Sequence, residues 1–415
     1  MTKNYVRSSK TSLKHSNLGK ISKLSEIQSE CVRVMRRIID IEFSKNDHNF
    51  PKFLSTETYN IIKGETWLSG RMIQNIGKQA LGILNSATAK QNRRIWQLEQ
   101  LNPSDASYTN LQNKILESKY SKPEIKDNIP LMLNSRIVSF VDSDNSFGTW
   151  IKITSIGVDE SGKRLPAVYL PYKKTKHMRN LEAKGGKLKN SVLINLNEIQ
   201  LAYEFEGNEN KSVGKTIGVD IGARVCISAS NGFQSTPDVH NHDLNSIMKS
   251  MSRKKKGSKA FNRKKTHRKN YINWTLNQLS LDDVAVVKCE NIKDMRRGKT
   301  SSRYLSHWTY TAIFEKLSRK CEEVNVLLIP VSPTYTSQRC SSCGWTKRGN
   351  RKGDVFECDS CEIEMDADLN AAINISLPLK NISYSGRLEY DIENGFYWNI
   401  PDQESIVPDS KNHKI

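Results

Sequence analysis

Apolar residues recur at spacings of three and four through Leu24, Ile27, Cys31, Val34, Ile38 and Ile41. That is the period of one buried helix face. Arg33, Arg36 and Arg37 fall between them, so the predicted helix has a basic exposed side. A second helical pattern runs through Met72, Ile76, Ala80, Ile83 and Ala87 towards Arg93, Arg94 and Trp96, and a shorter one covers Leu111 to Tyr120. Two readings of this bundle stay open: its charges are solvated, or they grip a polyanion. From about Pro130 the texture turns to short β-rich runs, at Ile137 to Val141, Trp150 to Ile156, Val168 to Leu170 and Ser191 to Leu196. Turn signals such as Asp159-Glu-Ser-Gly-Lys163 and Gly185-Gly186 separate them, which predicts a small β-barrel or sheet domain ending near Gly207.

The next stretch, Thr216 to Arg224, reads as a buried strand. Ile217, Val219 and Ile221 fall on one face, and Gly218, Asp220 and Gly222 on the other. An unpaired buried carboxylate is costly, and a metal ion held in the space the glycines leave is one way to offset it. Val284 to Val287 is a continuous apolar run suited to a strand buried on both faces, and it places Glu290 at the strand's carboxyl end. A helical pattern through Tyr310, Phe314, Leu317, Cys321 and Val324 then leads to a strand at Val326 to Val331, as in an α/β domain. Asp366 is placed to cap a helix from Ala367, with Asp368 in its first turn and the small Ala371 and Ala372 suited to close packing on a sheet. The segment from Lys380 to Ile415 is a polar tail containing Tyr390, Phe396, Tyr397 and Trp398.

Charge changes the picture. The 415 residues carry a formal charge of +20, which implies a polyanionic partner. No apolar run approaches membrane-spanning length, so nucleic acid is expected in place of a membrane. Met1 to Lys20 is polar and basic without an apolar signal core, so the expected location is the cytosol. The densest run is Lys249 to Lys269, with Arg253, Lys254, Lys255, Lys256, Lys259, Arg263, Lys264, Lys265, Arg268 and Lys269 and no acid. Such a run repels itself, and beside a nucleic acid it would release condensed counterions. Little helix is expected between it and Val284. The loop Lys173 to Lys189 is also basic.

Of eight cysteines, Cys31, Cys226, Cys289 and Cys321 stand alone in apolar contexts and read as core residues. Cys340, Cys343, Cys358 and Cys361 form two C-x-x-C pairs separated by fourteen residues, a spacing that places four thiolates around one structural zinc ion. Arg339, Lys347, Arg348, Arg351 and Lys352 surround them as candidate phosphate contacts. Three carboxylates then remain on separate elements, Asp220, Glu290 and Asp368. Converging in a basic protein, they could hold two magnesium ions for phosphodiester hydrolysis. No Ser–His–Asp arrangement competes, and His240 and His242 lie in a polar loop.

Five segments carry a resemblance: Gly218-Val-Asp-Ile-Gly222, Ser252-Arg-Lys-Lys-Lys-Gly-Ser-Lys259, Val287-Lys-Cys-Glu-Asn291, Tyr335-Thr-Ser-Gln-Arg-Cys-Ser-Ser-Cys-Gly344 and Asp366-Ala-Asp-Leu-Asn-Ala-Ala-Ile-Asn-Ile375. They resemble, in order, the RuvC-type, RNase-H-like core of TnpB and the compact type V-F CRISPR effectors. The resemblance implies a multidomain α+β and α/β chain. A helical recognition lobe (24–129) would be inserted in a β-barrel wedge domain (1–23 and 130–210). A RuvC-like nuclease domain (211–335 and 363–380) would carry an inserted four-cysteine zinc ribbon (336–362), followed by a tail (381–415). It implies an RNA-guided DNA endonuclease with Asp220, Glu290 and Asp368 as catalytic acids on two magnesium ions and with one structural zinc. Its partners would be a guide RNA and target double-stranded DNA, with one or two copies of the chain per guide. Two alternatives are a guide-dependent repressor that binds DNA without cutting, and an unguided zinc-ribbon DNA-binding protein. The three acids favour cleavage.

Overall fold

A computed structural model describes residues 4–45, 50–101, 103–104, 106–117, 122–144, 147–292, 304, 307, 309–380, 382 and 386–398. The chain divides after Glu206 into two compact units.

The first unit begins with strand β1 (Tyr5–Ser12), followed by helices α1 (Leu18–Ser44), α2 (Thr56–Glu65), α3 (Gly70–Glu99) and α4 (Ala106–Glu117). The side chains of Asn17, Ser55 and Ser69 accept backbone N–H groups at the starts of α1, α2 and α3, which fixes where those helices begin. The three-and-four periodicity holds over most of both helices: Leu24, Ile27, Cys31, Val34 and Ile38 of α1 and Met72, Ile76 and Ala80 of α3 are buried, whereas Ile41 and Ile83 are half-buried and Ala87 is exposed. The β half contains β2 (Leu131–Leu133), β3 (Val138–Asp142), β4 (Thr149–Ile153), β5 (Val168–Tyr172), β6 (Lys187–Ile194) and β7 (Glu198–Phe205). The basic loop before β6 holds a short helix, α5 (Lys176–Ala183).

These strands do not close into the expected barrel. They form a four-stranded antiparallel sheet, β1-β7-β6-β2, and a three-stranded one, β3-β4-β5. Pro171 lies in the edge strand β5, where a residue without an N–H is tolerated but cannot extend the ladder. A register shift between Leu188 and Val192 further interrupts β6. Both sheets and the helices share one core, which includes Leu131, Ile153, Tyr172, Leu201 and Met35.

The second unit opens with β8 (Lys215–Asp220) and β9 (Ser228–Ala229), then α6 (Leu244–Ser252), α7 (Lys259–Gln278), β10 (Val284–Glu290), α8 (Tyr310–Glu323) and β11 (Leu327–Val331). Its main sheet runs β11-β10-β8-β9, with β11, β10 and β8 parallel and β9 antiparallel. Helix α7 runs through the second half of the basic run and on to Gln278, where little helix was expected before Val284. Ser258 caps α7, and a sparse stripe of Phe261, Tyr271, Ile272, Thr275 and Leu276 is buried against the core while the charges stay outside. Beyond β11 come the short strands β12 (Trp345–Thr346), β13 (Arg351–Lys352), β14 (Val355–Glu357) and β15 (Glu364–Asp366), helix α9 (Ala367–Ser376) and strand β16 (Phe396–Tyr397). Strands β13, β14 and β15 form one small sheet, and β16 pairs with β12 in another. The tail is thus built in as far as Trp398, and its remainder, 399–415, lies outside the described residues. No helix among the described residues is long and apolar enough to cross a membrane.

Helix α9 lies directly on β8. A Cβ built on Gly218 would stand 2.0 Å from the Ala372 carbonyl oxygen and 2.5 Å from the Ser376 nitrogen. The space this glycine leaves is filled by helix backbone, not by a metal or a phosphate. Gly218→Ala is expected to push α9 off the sheet and cost about 1–3 kcal/mol of stability or more, read by denaturant unfolding. An unchanged midpoint would contradict this packing.

Candidate active site and metal centre

Parallel register sets the first two acids side by side. Val219 pairs with Cys289, so Asp220 and Glu290 end adjacent strands at their carboxyl ends, where α/β sheets commonly bind ligands. Alternation puts both on the face occupied by α9, as does the Lys288 Nζ bond to the Leu377 carbonyl, 2.8 Å away. Asp366 caps α9 by accepting the N–H groups of Asp368 and Leu369 at 3.1 and 2.8 Å, and it also accepts Gln234 Nε2 at 2.7 Å. Its carboxylate is therefore engaged, and Asp368 in the first turn is the acid left to face the strand ends.

The environment of these acids is electrostatically tense. Asp220 is 8% exposed and Glu290 5%. Burial raises the Asp220 carboxyl well above the usual range, and the neighbouring Glu290 and Asp368 charges raise it further, against Arg351 and the Ile221 N–H. Burial likewise raises Glu290, to about 7, against the Thr336 hydroxyl and Arg351. Thr336 Oγ1 donates to Glu290 Oε1, and the Tyr310 hydroxyl donates to the Glu290 carbonyl. Arg351, on β13, donates from Nη2 to Asp368 Oδ1 at 2.6 Å. A buried group of mutually repelling carboxylates is the setting for hard divalent cations.

The four clustered cysteines are also brought together, with all four sulfurs within 4.8 Å of one another, so they could hold a metal ion. Among the described residues this is the group of three or more potential ligands drawn that close, and the three acids are not. Cys340 and Cys361 are 3.6 Å apart, as are Cys343 and Cys358. Around them, Asp359 accepts Trp345 Nε1 at 2.6 Å and Lys347 Nζ at 2.6 Å. The tail completes the ribbon: the Tyr397 ring lies tilted 4.9 Å from Trp345, and Phe396 lies 5.6 Å from Tyr335. Cys31, Cys226, Cys289 and Cys321 are buried core residues, as expected.

The basic residues separate into two groups. Arg253, Lys254, Lys255, Lys256, Lys259, Arg263, Lys265 and Lys269 are exposed on or before α7, and Lys264 is half-buried. Arg268 is half-buried and bonds the His307 carbonyl, which ties it down. Arg339 corrects the expectation of a phosphate contact: it is 4% exposed, and its guanidinium is spent on protein acceptors. His240 and His242 belong to a loop held by Asp238, which accepts both backbone N–H groups and pairs with His267 Nε2 of α7 at 2.8 Å.

Sequence reasoning missed a cleft of about 530 Å3 in the first unit, lined by Phe53, Arg71, Gln74, Lys78, Asn134 and Arg136. Phe53 is 58% exposed there, with Lys52 and Lys78 ammonium groups 5.8 and 5.9 Å from its ring. These residues lie on α3 and in two loops far apart in sequence, so no local motif marks them.

Known proteins resemble this chain in sequence and in fold. The family model described as the Cas12f1-like TNB domain matches residues 310–375. A CRISPR-associated endodeoxyribonuclease Cas12f1 of Sulfoacidibacillus thermotolerans is 29% identical over 213 residues, 43% of this chain and 50% of that protein. A TnpB-like protein of Methanocaldococcus jannaschii is 32% identical over 106 residues, 25% of this chain and 50% of that one. The solved structure of the mini-RNA-guided endonuclease CRISPR-Cas_phi3 is similar in fold, with a TM-score of 0.51 at 11% identity, covering 90% of this chain and 92% of that chain. The chain is thus similar in sequence to Cas12f1 and TnpB-like proteins, and its residues 310–375 match the Cas12f1-like TNB domain. It spans about half the length, or less, of the curated relatives it matches.

Both raised carboxyls bind their protons more tightly in the fold than in the unfolded chain. Folded protein therefore holds more protons than unfolded from the ordinary carboxylate range up to about 7, and stability must fall as pH rises through that window. Thermal unfolding in magnesium-free buffer from about pH 5 to about pH 8 should show this loss. Asp220→Asn with Glu290→Gln should flatten it. An unchanged slope in that double variant would place the titration elsewhere.

Proposed function

We propose that this chain is an RNA-guided DNA endonuclease that hydrolyses phosphodiesters with a RuvC-like, RNase-H-like domain. The observation that carries this reading is that Asp220 and Glu290 end adjacent parallel strands, buried and pushed towards protonation, on the sheet face covered by α9, whose first turn contains Asp368. Its relatives' names, an endodeoxyribonuclease and an RNA-guided endonuclease, agree with it.

Two magnesium ions held by these acids would supply an activated water and charge stabilisation at the leaving oxygen. The chain's own residues set the geometry. Asp220 and Glu290 are fixed by strand register, and Thr336 orients Glu290 through its hydroxyl. Asp368 is held at the helix start by the Asp366 cap. Arg351 reaches the same site from the ribbon and can turn from Asp368 to a phosphate oxygen. The ribbon cysteines, four soft thiolates within tetrahedral reach, suit one structural zinc. The exposed cations of α7 would track a phosphate backbone, with guide and target pairing to read sequence.

The segment limits expected above are retained in this reading, as recognition lobe, wedge, nuclease and ribbon, and the acid-free helix α7 belongs to the nuclease part. In the first unit, the 530 Å3 cleft has the side chains that read base edges in duplex DNA, with Arg and Lys for guanine and Gln and Asn for adenine. It is the proposed reader of the flanking motif.

Asp220→Ala should abolish magnesium-dependent DNA cleavage and leave guide-RNA binding intact, checked by cleavage and filter-binding assays on one preparation. Residual cutting at the wild-type rate would remove Asp220 from the site. Arg71→Ala or Gln74→Ala should cost about 1–3 kcal/mol of discrimination at one motif position in a randomised-flank depletion assay. A uniform loss across all flanks would make the cleft a backbone grip and not a reader.

A further inference from the structure

Arg339 is a buried cation without a carboxylate partner among the described residues. Its Nε donates to the Trp398 carbonyl at 2.6 Å, and one terminal nitrogen donates to the Cys340 carbonyl at 3.0 Å and to Asn374 Oδ1 at 2.7 Å. All three acceptors are neutral. They satisfy hydrogen bonds, but they do not balance a full charge taken out of water, and an unbalanced buried charge is strongly destabilising. Arg339 directly precedes Cys340 and bonds its carbonyl at 3.0 Å, so among the described residues the sulfurs of Cys340 and Cys343 are groups beside it able to carry negative charge. A divalent ion bound by four thiolates has a formal charge of minus two, so metal binding would create the missing counter-charge beside the guanidinium.

We infer that Arg339 is the counter-cation of the four-thiolate metal site and a positioning residue that ties that site to the tail and to helix α9. This rests on the proposed zinc reading of the ribbon. The tie is specific in its geometry. Asn374, while accepting from Arg339, donates through Nδ2 to the Thr336 and Arg339 carbonyls at 3.0 and 2.7 Å, and Thr336 in turn holds Glu290. Asn370, one turn earlier on α9, donates to the same Arg339 carbonyl at 2.8 Å and accepts the Ser341 N–H at 2.9 Å. Loading the ribbon with metal therefore stabilises the arginine that joins the tail at Trp398 to the helix carrying Asp368.

The test is zinc affinity of the full-length chain, measured by competition with a chromophoric chelator, for wild type, Arg339→Gln and Arg339→Lys. Glutamine keeps a donor and loses the charge; lysine keeps the charge and loses the fork. The glutamine variant should lose about ten- to a hundred-fold in zinc affinity, or fail to fold, while lysine recovers most of the loss. A merely structural arginine predicts no such rescue. Glutamine binding zinc as tightly as wild type, or lysine doing no better than glutamine, overturns the inference. A wild-type chain that takes up no zinc overturns the ribbon's metal reading, and the inference with it.

Discussion

The site depends on one close approach, the backbone of α9 lying against Gly218 of β8. A side chain at that position would strike the Ala372 carbonyl, so only a glycine lets the helix settle on the strand. Once settled, the helix points its first turn, with Asp368, towards the strand ends that carry Asp220 and Glu290. The alanines at 371 and 372 serve the same contact from the other side and are buried completely. Packing here determines chemistry: the distance between helix and sheet sets the distance between carboxylates.

Charge is the second constraint. In the second unit burial opposes ionisation at the acid pair and at Arg339, and the two places are linked through Thr336 and Asn374. Each is costly alone, and in the proposed reading a cation on the acids and a metal–thiolate cluster beside the arginine would offset that cost. Arg351 extends this logic, since it lies on the ribbon sheet yet bonds Asp368. A residue of the ribbon therefore shares in the electrostatics of the acids.

Much of this arrangement was legible in the amino-acid order because it rests on local periodicity and spacing. The α1 and α3 stripes, the cap at Asp366 and the two cysteine pairs each follow from residues a few positions apart. What stayed hidden depends on partners distant in sequence. Strand β1 is polar, Tyr-Val-Arg-Ser-Ser-Lys-Thr-Ser, and exists because every one of its residues pairs with β7. Helix α7 was masked by its charge, since a stripe of few apolar residues suffices when a core already waits for it. The tail gave no periodicity at all, and its role comes from pairing with Trp345 and Thr346. Arg339 read as a surface cation because composition does not reveal burial, and the barrel failed because strand count does not specify closure. The burial of Asp220 was legible in the apolar strand around it, whereas the approach of Arg351 to Asp368 was not.

The most direct test of guided cleavage is to express the chain with its native flanking DNA, purify it, and sequence the RNA that accompanies it. The account predicts a discrete RNA with a constant scaffold and a variable end, and magnesium-dependent cutting of DNA matched to that end. Protein free of any specific RNA, or RNA whose variable end does not direct cutting, would contradict it.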